Sequence, residues 1–457
     1  MGVKIKVVNM VPLSRSSETH DDSETNLSVN PINKRQIAGT AFTPSGGPNT
    51  LVYLSKNGGD TWTLNAIVPG QTGDYNAKFS SRALYGGNLR WPPFPLTMDV
   101  IRTKNPFIGL LMAVIDARPG GGGGFFDQPW VETRTVGKKP GAGKDHVYVG
   151  ANDLTIFPGA GASIDICANG MGGAPVFKLV RLDARPVLGQ DGPSVRIGIH
   201  RTGKVYAAFF GWRPPGGRTT SDVVVVRDDH WGTGATPFKD LIDSVDLKGG
   251  SRVVTGINVG WGVGLGSDRT GSDLTLAVDP VRASTVWVAW CDVQGGAITL
   301  HARHSKDSGK TWSGDLLTVP NAKNPALAIS TDHRVGLLYQ QVVGTAPNWH
   351  WEEHIQLTRS GATWHDILLS KTAVNSWTGD YSYLETRGPD FFGIFAADNT
   401  PNHANFPHGV HYQRKANFTT HKLLDVTGTI AIPPSIDPFF FKLSGRAEDE
   451  EEDDDDE

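Results

Sequence analysis

Cysteine is nearly absent. The 457 residues hold only Cys167 and Cys291, far apart in the chain, so a fold built on disulfides is excluded. Long apolar runs are missing too, and no segment reaches membrane-spanning length, so no membrane insertion is expected. Residues Met1 to His20 lack the apolar core of a secretory signal peptide. No cluster rich in Lys and Arg pairs with stacking aromatics, and nucleic acid is not an expected partner. Helical periodicity is also scarce. One stretch, Thr236 to Val245, predicts a helix, with Thr236 as cap, Pro237 at the first position, and Phe238, Leu241, Ile242 and Val245 on one face.

What is present points to strands. The apolar runs are short, alternate with polar residues, and end in Gly, Pro, Asn or Asp. The net charge of -4 hides an asymmetry. Glu448 to Glu457 are all acidic, and without those ten the 47 acids fall to 37 against 43 Lys and Arg, a body of +6. So dense a block of like charge is expected to be solvated and disordered. It reads either as a solubility tail or as an interaction tail able to contact a basic partner.

Short words recur. Ser305-Lys306-Asp307-Ser308-Gly309-Lys310-Thr311-Trp312 fits Ser-x-Asp-x-Gly-x-Thr-Trp, and Ser55-Lys56-Asn57-Gly58-Gly59-Asp60-Thr61-Trp62 fits it with Asn for Asp. A reduced copy keeps Gly361, Thr363 and Trp364. Asp307 and Asn57 can accept bonds from the backbone of their own turns, the Gly tolerates a positive φ, and the Trp buries a large ring. These are parts of a turn. A second word joins two strands through an Asx-Pro turn, at Asn26 to Pro31 and at Thr275 to Pro280. A third, Thr-Gly-Asp-Tyr, stands at Thr72 to Tyr75 and at Thr378 to Tyr381, each before an inner strand.

On this template inner strands fall near Leu27, Phe79, Val131, Val195, Leu276, Leu327 and Leu384. Their spacing of mostly about 50 residues is that of four-stranded propeller blades. The expected fold is all-β: a seven-bladed β-propeller of four-stranded antiparallel blades over residues 1–445, with six blades as the alternative and 446–457 as the acidic tail. Val3 to Val8 is expected to complete the last blade, whose third strand is placed at Gly409 to Arg414. The long spacing between Trp231 and Asp273 reads as a lid or as a wide surface loop.

The Ser-x-Asp-x-Gly-x-Thr-Trp words resemble the Asp-box of the sialidase-like, BNR-repeat β-propellers. The resemblance implies a carbohydrate-active or carbohydrate-binding propeller, an extracellular location, and a ligand site on the face away from the boxes. It is not a close match to true exo-sialidases. Ser23-Glu24-Thr25 stands where those enzymes carry Arg-Ile-Pro, and Thr40-Ala41-Phe42-Thr43-Pro44 where they carry an acidic-x-Arg word, so the clamp on the substrate carboxylate is missing.

On that face an Asp precedes nearly every inner strand: Asp22, Asp74, Asp127, Asp191, Asp273 and Asp380. Such a ring repels itself unless it holds a cation, shares protons or is well hydrated. Oxygen ligands would suit Ca²⁺, whereas the alternative has each Asp capping its own turn. Asp153, Asp292 and Asp398 end second strands, and two carboxylates across a sugar can act as acid and nucleophile or base. His350 and His408 offer proton transfer. Arg90 with Trp91, Trp212 with Arg213, and Trp349 with Trp351 offer flat rings for sugars and cations for an acidic sugar. Two functions stand side by side: a glycosidase or polysaccharide lyase on acidic glycans, and a non-catalytic propeller that binds glycan or protein.

Overall fold

A computed structural model describes residues 3–42, 48–90, 96–120, 126–137, 142–153, 161–187, 195–214, 220–259, 262–266, 268–269, 273–374 and 377–445. Among these, six four-stranded antiparallel sheets and one five-stranded sheet follow one another along the chain. The innermost strands are Ser23–Val29, Tyr75–Phe79, Phe126–Val136, Arg196–Ile199, Leu274–Val278, Ala322–Ile329 and Tyr383–Arg387. Each neighbours the next, and the last neighbours the first, so the sheets close a ring around a channel. We number the sheets as blades 1 to 7 in this order. The fold is a β-propeller.

Inner strands do not pair with each other, so their channel-side amides need other acceptors. Short side chains from the preceding blade supply them. Ala77 and Phe79 donate to Asn26 Oδ1 and Ser28 Oγ at 3.2 and 2.8 Å, and Val131 donates to Asn76 Oδ1 at 2.9 Å. Asn324 and Leu327 donate to Asp273 Oδ1 and Thr275 Oγ1 at 2.7 and 3.1 Å. Small polar residues on inner strands thus stitch blade to blade.

Blade 7 closes the ring with both ends of the chain. Lys4–Asn9 pairs antiparallel with Ile436–Ser444, which lies against Asp390–Asp398. The leading segment is therefore the fourth strand of this blade, as its alternation suggests. The third strand is Ile436–Ser444, not Gly409 to Arg414; His411 and Tyr412 only flank the edge beside Val8 and Asn9. The reason is burial on both faces. Phe439, Phe441 and Leu443 join the core shared with blade 6, while Phe440 packs with Trp62 of blade 1. A central strand wants such a continuous apolar run. Asp437 fixes the seam by accepting from Asn9 and Asn399 at 2.6 and 2.9 Å and from Arg414.

The repeated words fold into the same turn. In blade 5, Asp307 Oδ1 accepts from Thr311 N at 3.0 Å and Gly309 N donates to Ser305 Oγ at 2.8 Å. In blade 1, Asn57 Oδ1 accepts from Thr61 N at 3.0 Å and Gly59 N donates to Ser55 Oγ at 2.9 Å. Gly59 and Gly309 sit at φ 86° and 85°, where a Cβ is strained. The tryptophans staple neighbouring blades: Trp312 Nε1 donates to Ser251 in blade 4, and Trp364 meets Trp287 edge-on at 5.8 Å.

The helix expected at Thr236 to Val245 does not form. Phe238 adopts φ 60°, and its amide caps Asp228. Asp243 then turns the chain by accepting from Val245 and Arg252. Ile242 and Val245 are exposed while Phe238 and Leu241 are buried, so no single apolar face survives. Part of the long insertion is blade 4's own outer strand, Ser251–Asn258. Beyond it, a short hairpin pairing Gly264 and Leu265 with Arg269 and Asp268 reaches blade 6. No helix among the described residues is long and apolar enough to cross a membrane.

A carboxylate cluster at the channel mouth

Strand direction alternates within each blade, so crossovers and second-to-third loops share one face of the ring. The repeated turns lie on the other. The crossovers bring four carboxyls to the channel mouth: Glu24 of blade 1, Asp74 of blade 2, Asp127 of blade 3 and Asp380 of blade 7. Asp74 and Asp380 occupy the same place in the two Thr-Gly-Asp-Tyr words. Asp74 and Asp127 are half-buried, whereas Glu24 and Asp380 lie beneath them at 4% and 1% exposure.

Glu24 and Asp127 each reach Asp74 within hydrogen-bonding range. Burial, followed by the charges of Asp74 and Asp380, pushes both carboxyls well above the usual carboxylate range. Carboxyls held this close relieve their repulsion by sharing protons.

The backbone is bent to make it. Inner strands 1, 3 and 6 begin with register shifts, between Ser23 and Asn26, Asp127 and Trp130, and Lys323 and Ala326. Inside these bulges Glu24, Gln128 and Asn324 take φ 52°, 48° and 54°. Such angles cost a non-glycine residue free energy, and bulges re-aim side chains near sites. All three point toward Gly379 and Asp380. Gln128 Nε2 lies 3.5 Å from Asp380 Oδ2, and Asn324 Nδ2 donates to Gly379 O at 3.0 Å. Gly379 itself, at φ 93°, presses on Glu24: a Cβ there would lie 2.4 Å from the Glu24 amide nitrogen. Gly379→Ala is therefore expected to destabilise the chain by about 2 kcal/mol or more, read as a lower urea midpoint.

Lys323 anchors this corner. Its fully buried Nζ pairs with Asp268 of the inserted hairpin and donates to Gly379 O at 2.9 Å. Asp268 also accepts from Thr378 N and Oγ1. Below the carboxyls, the Arg196 guanidinium lies 3.7 Å over Trp130 and 5.8 Å from Tyr381. Burial pushes it down to about 9. With Tyr383 these groups line a cavity of about 40 Å³ in the channel. Beside the mouth, Phe42 and Trp377 meet edge-on at 6.0 Å, both half-buried.

Other expected site residues lie elsewhere. Asp22 accepts from Tyr53 at 2.5 Å, and Asp273 is engaged by the Asn324 amide, so both serve blade packing. Asp191 and Trp91 fall outside the described residues. Arg90 is forked onto Asp99 at 2.6 and 3.3 Å, and Arg213 bridges Asp183 and Asp222 at 2.7 and 3.0 Å. Neither offers a clamp for an acidic sugar, because its donors already hold carboxylates. Trp212 and Trp351 are core residues at 0% and 3% exposure, each on a strand side that faces a neighbouring blade. Trp349 stays exposed.

Asp292 accepts from Trp290 Nε1 and faces His301, Asp398 caps Thr400 N, and Asp153 pairs with Arg118. His350 binds Glu352 at 2.9 Å, and His408 is exposed in the blade 7 insertion. The surroundings of Asp292 recur in the next blade. Trp290 stacks on His301 and Tyr339 on His354 at 5.2 and 5.4 Å, each pair directly opposite across the second and third strands. Each His turns Nδ1 to an Asp, Asp315 or Asp366. A repeated arrangement of this kind is a part of the blade.

Among the described residues, Asp228, His230 and Asp240 bring ligand-type atoms within 4.8 Å of one another. Both Asp228 oxygens are taken, by the amides of His230, Gly232 and Phe238, so this group is a turn cap of blade 4.

No protein-family model matches the chain, and no curated protein is similar to it. Similarity appears with solved structures. The GH93 α-L-arabinofuranosidase of Fusarium graminearum in complex with arabinobiose is 12% identical, over 95% of this chain and 97% of that one, with a TM-score of 0.41. The N11 neuraminidase-like protein of A/flat-faced bat/Peru/033/2010 is 10% identical, over 98% and 95%, at 0.39. Sqt1 of Chaetomium thermophilum bound to the N-terminus of ribosomal protein L10 is 11% identical, over 91% and 88%, at 0.42. Neuraminidase-like and arabinofuranosidase propellers are thus among the structural neighbours of this chain at low sequence identity, and the likeness is one of fold.

Proposed function

We propose that the chain is a glycoside hydrolase acting on neutral glycans at the carboxylate-lined mouth. The observation that carries this reading is the Glu24, Asp74, Asp127 and Asp380 cluster beside the half-buried rings of Phe42 and Trp377. Glycosidic cleavage needs one carboxyl that donates a proton and another that acts as nucleophile or base. Asp127 suits the acid: it is half-buried, and burial with the charges of Asp74 and Asp380 pushes its carboxyl well above the usual range. Asp74 suits the nucleophile or base role once a bound sugar parts it from Asp127 by the roughly 5 Å or more that such a pair needs. Glu24 backs Asp74 from the buried side, and the aromatic pair offers a face to a sugar ring.

An acidic substrate fits poorly. A mouth of four carboxyls disfavours a uronate, and Arg90 and Arg213 are already paired. In this reading shared protons relieve the repulsion within the cluster, and Ca²⁺ is not required. The test is reducing-end release from neutral oligosaccharides and uronate polysaccharides, with and without chelator. Turnover of neutral substrates that survives chelation supports the proposal. Cleavage confined to uronates, or turnover abolished by chelator, overturns it.

Proton sharing also has a sign in stability. Folded Glu24 and Asp127 hold protons that the unfolded chain releases above about pH 4. Their contribution is complete below that pH and is lost as pH rises through the raised folded values. Glu24→Gln is therefore expected to raise the thermal midpoint at pH 8 relative to the parent chain and to change it little at pH 4.5. An equal shift at both pH values would contradict the shared proton.

A further inference from the structure

The opposite end of the channel holds a cation that is unpaired among the described residues. A cavity of about 350 Å³ opens there, on the face of the repeated turns, and its lining includes the cations Lys78, Arg134 and Arg387 and the carboxylates Glu132 and Glu385. Two of the three cations are spent. Lys78 Nζ donates to Glu385 at 2.8 Å and lies 3.3 Å from Glu132. Arg387 donates to Val29 O and lies 3.4 Å from Glu385. Arg134 differs. Its half-buried guanidinium has no hydrogen-bond or ion-pair partner among the described residues, and its charged neighbours are Arg201 and Arg387. Burial, then the repulsion of these two, holds it below the usual guanidinium range.

A partly desolvated cation facing two others is costly unless an anion completes it. The planar fork of Arg matches two oxygens of a phosphate or sulfate. We propose that this lower mouth binds a tetrahedral oxyanion, free or as the ester group of a sugar, with Arg134 as the principal contact and Arg201 and Arg387 beside it. The site is separate from the carboxylate cluster and does not depend on the activity proposed for it.

The experiment is thermal unfolding and calorimetric titration of the full chain with inorganic phosphate and with a hexose phosphate, chloride serving as the control at constant ionic strength. Saturable binding is expected for the phosphates and not for chloride. Tighter binding of the ester assigns the site to a phosphorylated sugar, and equal or tighter binding of inorganic phosphate assigns it to the free ion. Arg134→Gln is expected to weaken binding about 10-fold or more, and Arg134→Lys to fall between. Without anion, Arg134→Gln should unfold no earlier than the parent, since repulsion is removed. Absence of saturable binding, unchanged affinity in Arg134→Gln, or a lower midpoint for that variant without anion would overturn the proposal.

Discussion

Asp127→Asn is expected to lower turnover of unactivated neutral oligosaccharides by about 10² to 10⁴-fold, the usual contribution of a positioned general acid. The same variant should cleave aryl glycosides with acidic phenol leaving groups at nearly the parent rate. Such a leaving group departs as a stable anion, so proton donation no longer limits the step. Asp74→Asn should lose activity on both substrate types, because an amide can act neither as nucleophile nor as base. The two variants together separate the roles. Equal losses for Asp127→Asn on both substrates would instead place Asp127 in binding or structure. Steady-state kinetics with paired natural and aryl substrates provide the reading.

Lys323→Met is expected to be the most destabilising single change at the site. Lys323 and Asp268 are both fully buried, and Thr378 closes around the same carboxylate. Removing the cation leaves a buried carboxylate without its counter-charge, which costs about 3 to 5 kcal/mol. The pair joins the inserted hairpin, the start of blade 6 and the crossover into blade 7, so the change should also loosen Asp380 and depress activity. Urea unfolding gives the first effect and kinetics the second. Adding Asp268→Asn should recover part of the stability, since a neutral amide no longer needs the charge, although it also loses an acceptor to Thr378. A loss below about 1 kcal/mol for Lys323→Met would mean that water reaches the pair.

Much of the ring is legible in the chain because strand periodicity and turn chemistry are local. The Asx-Pro turns place second strands, and the Ser-x-Asp-x-Gly-x-Thr-Trp words mark third-to-fourth turns through bonds made within eight residues. The Thr-Gly-Asp-Tyr words similarly mark Asp74 and Asp380. What stays hidden is non-local. Glu24 lies in the stretch that departs from the sialidase pattern, and only the bulge and the pressure of Gly379 turn it into the channel. The pairing of Lys323 with Asp268 spans 55 residues and two blades. Arg90 and Arg213 look like ligand cations in sequence because nothing local shows that Asp99, Asp183 and Asp222 already hold them. Trp212 and Trp351 mislead for a related reason: the ends of strands and the beginnings of loops share composition, and only packing separates them.

The helix expected at Thr236 to Val245 shows the same competition from the other side. Its apolar spacing is helical, yet Asp228 and Asp243 offer side-chain acceptors to the amides of Phe238 and Val245. Such local bonds compete with the helical ladder and win here.

In the proposed reading, hydrolysis happens where the blade 1, 2, 3 and 7 carboxyls converge. Its most direct measurement is the release of reducing ends from a panel of neutral oligosaccharides at pH 5 by the parent chain and by Asp74→Asn. The account predicts turnover by the parent and a loss of at least about 10³-fold in the variant, with the fold intact by circular dichroism. Release that persists undiminished in Asp74→Asn, or no release by the parent from any member of the panel, would contradict it.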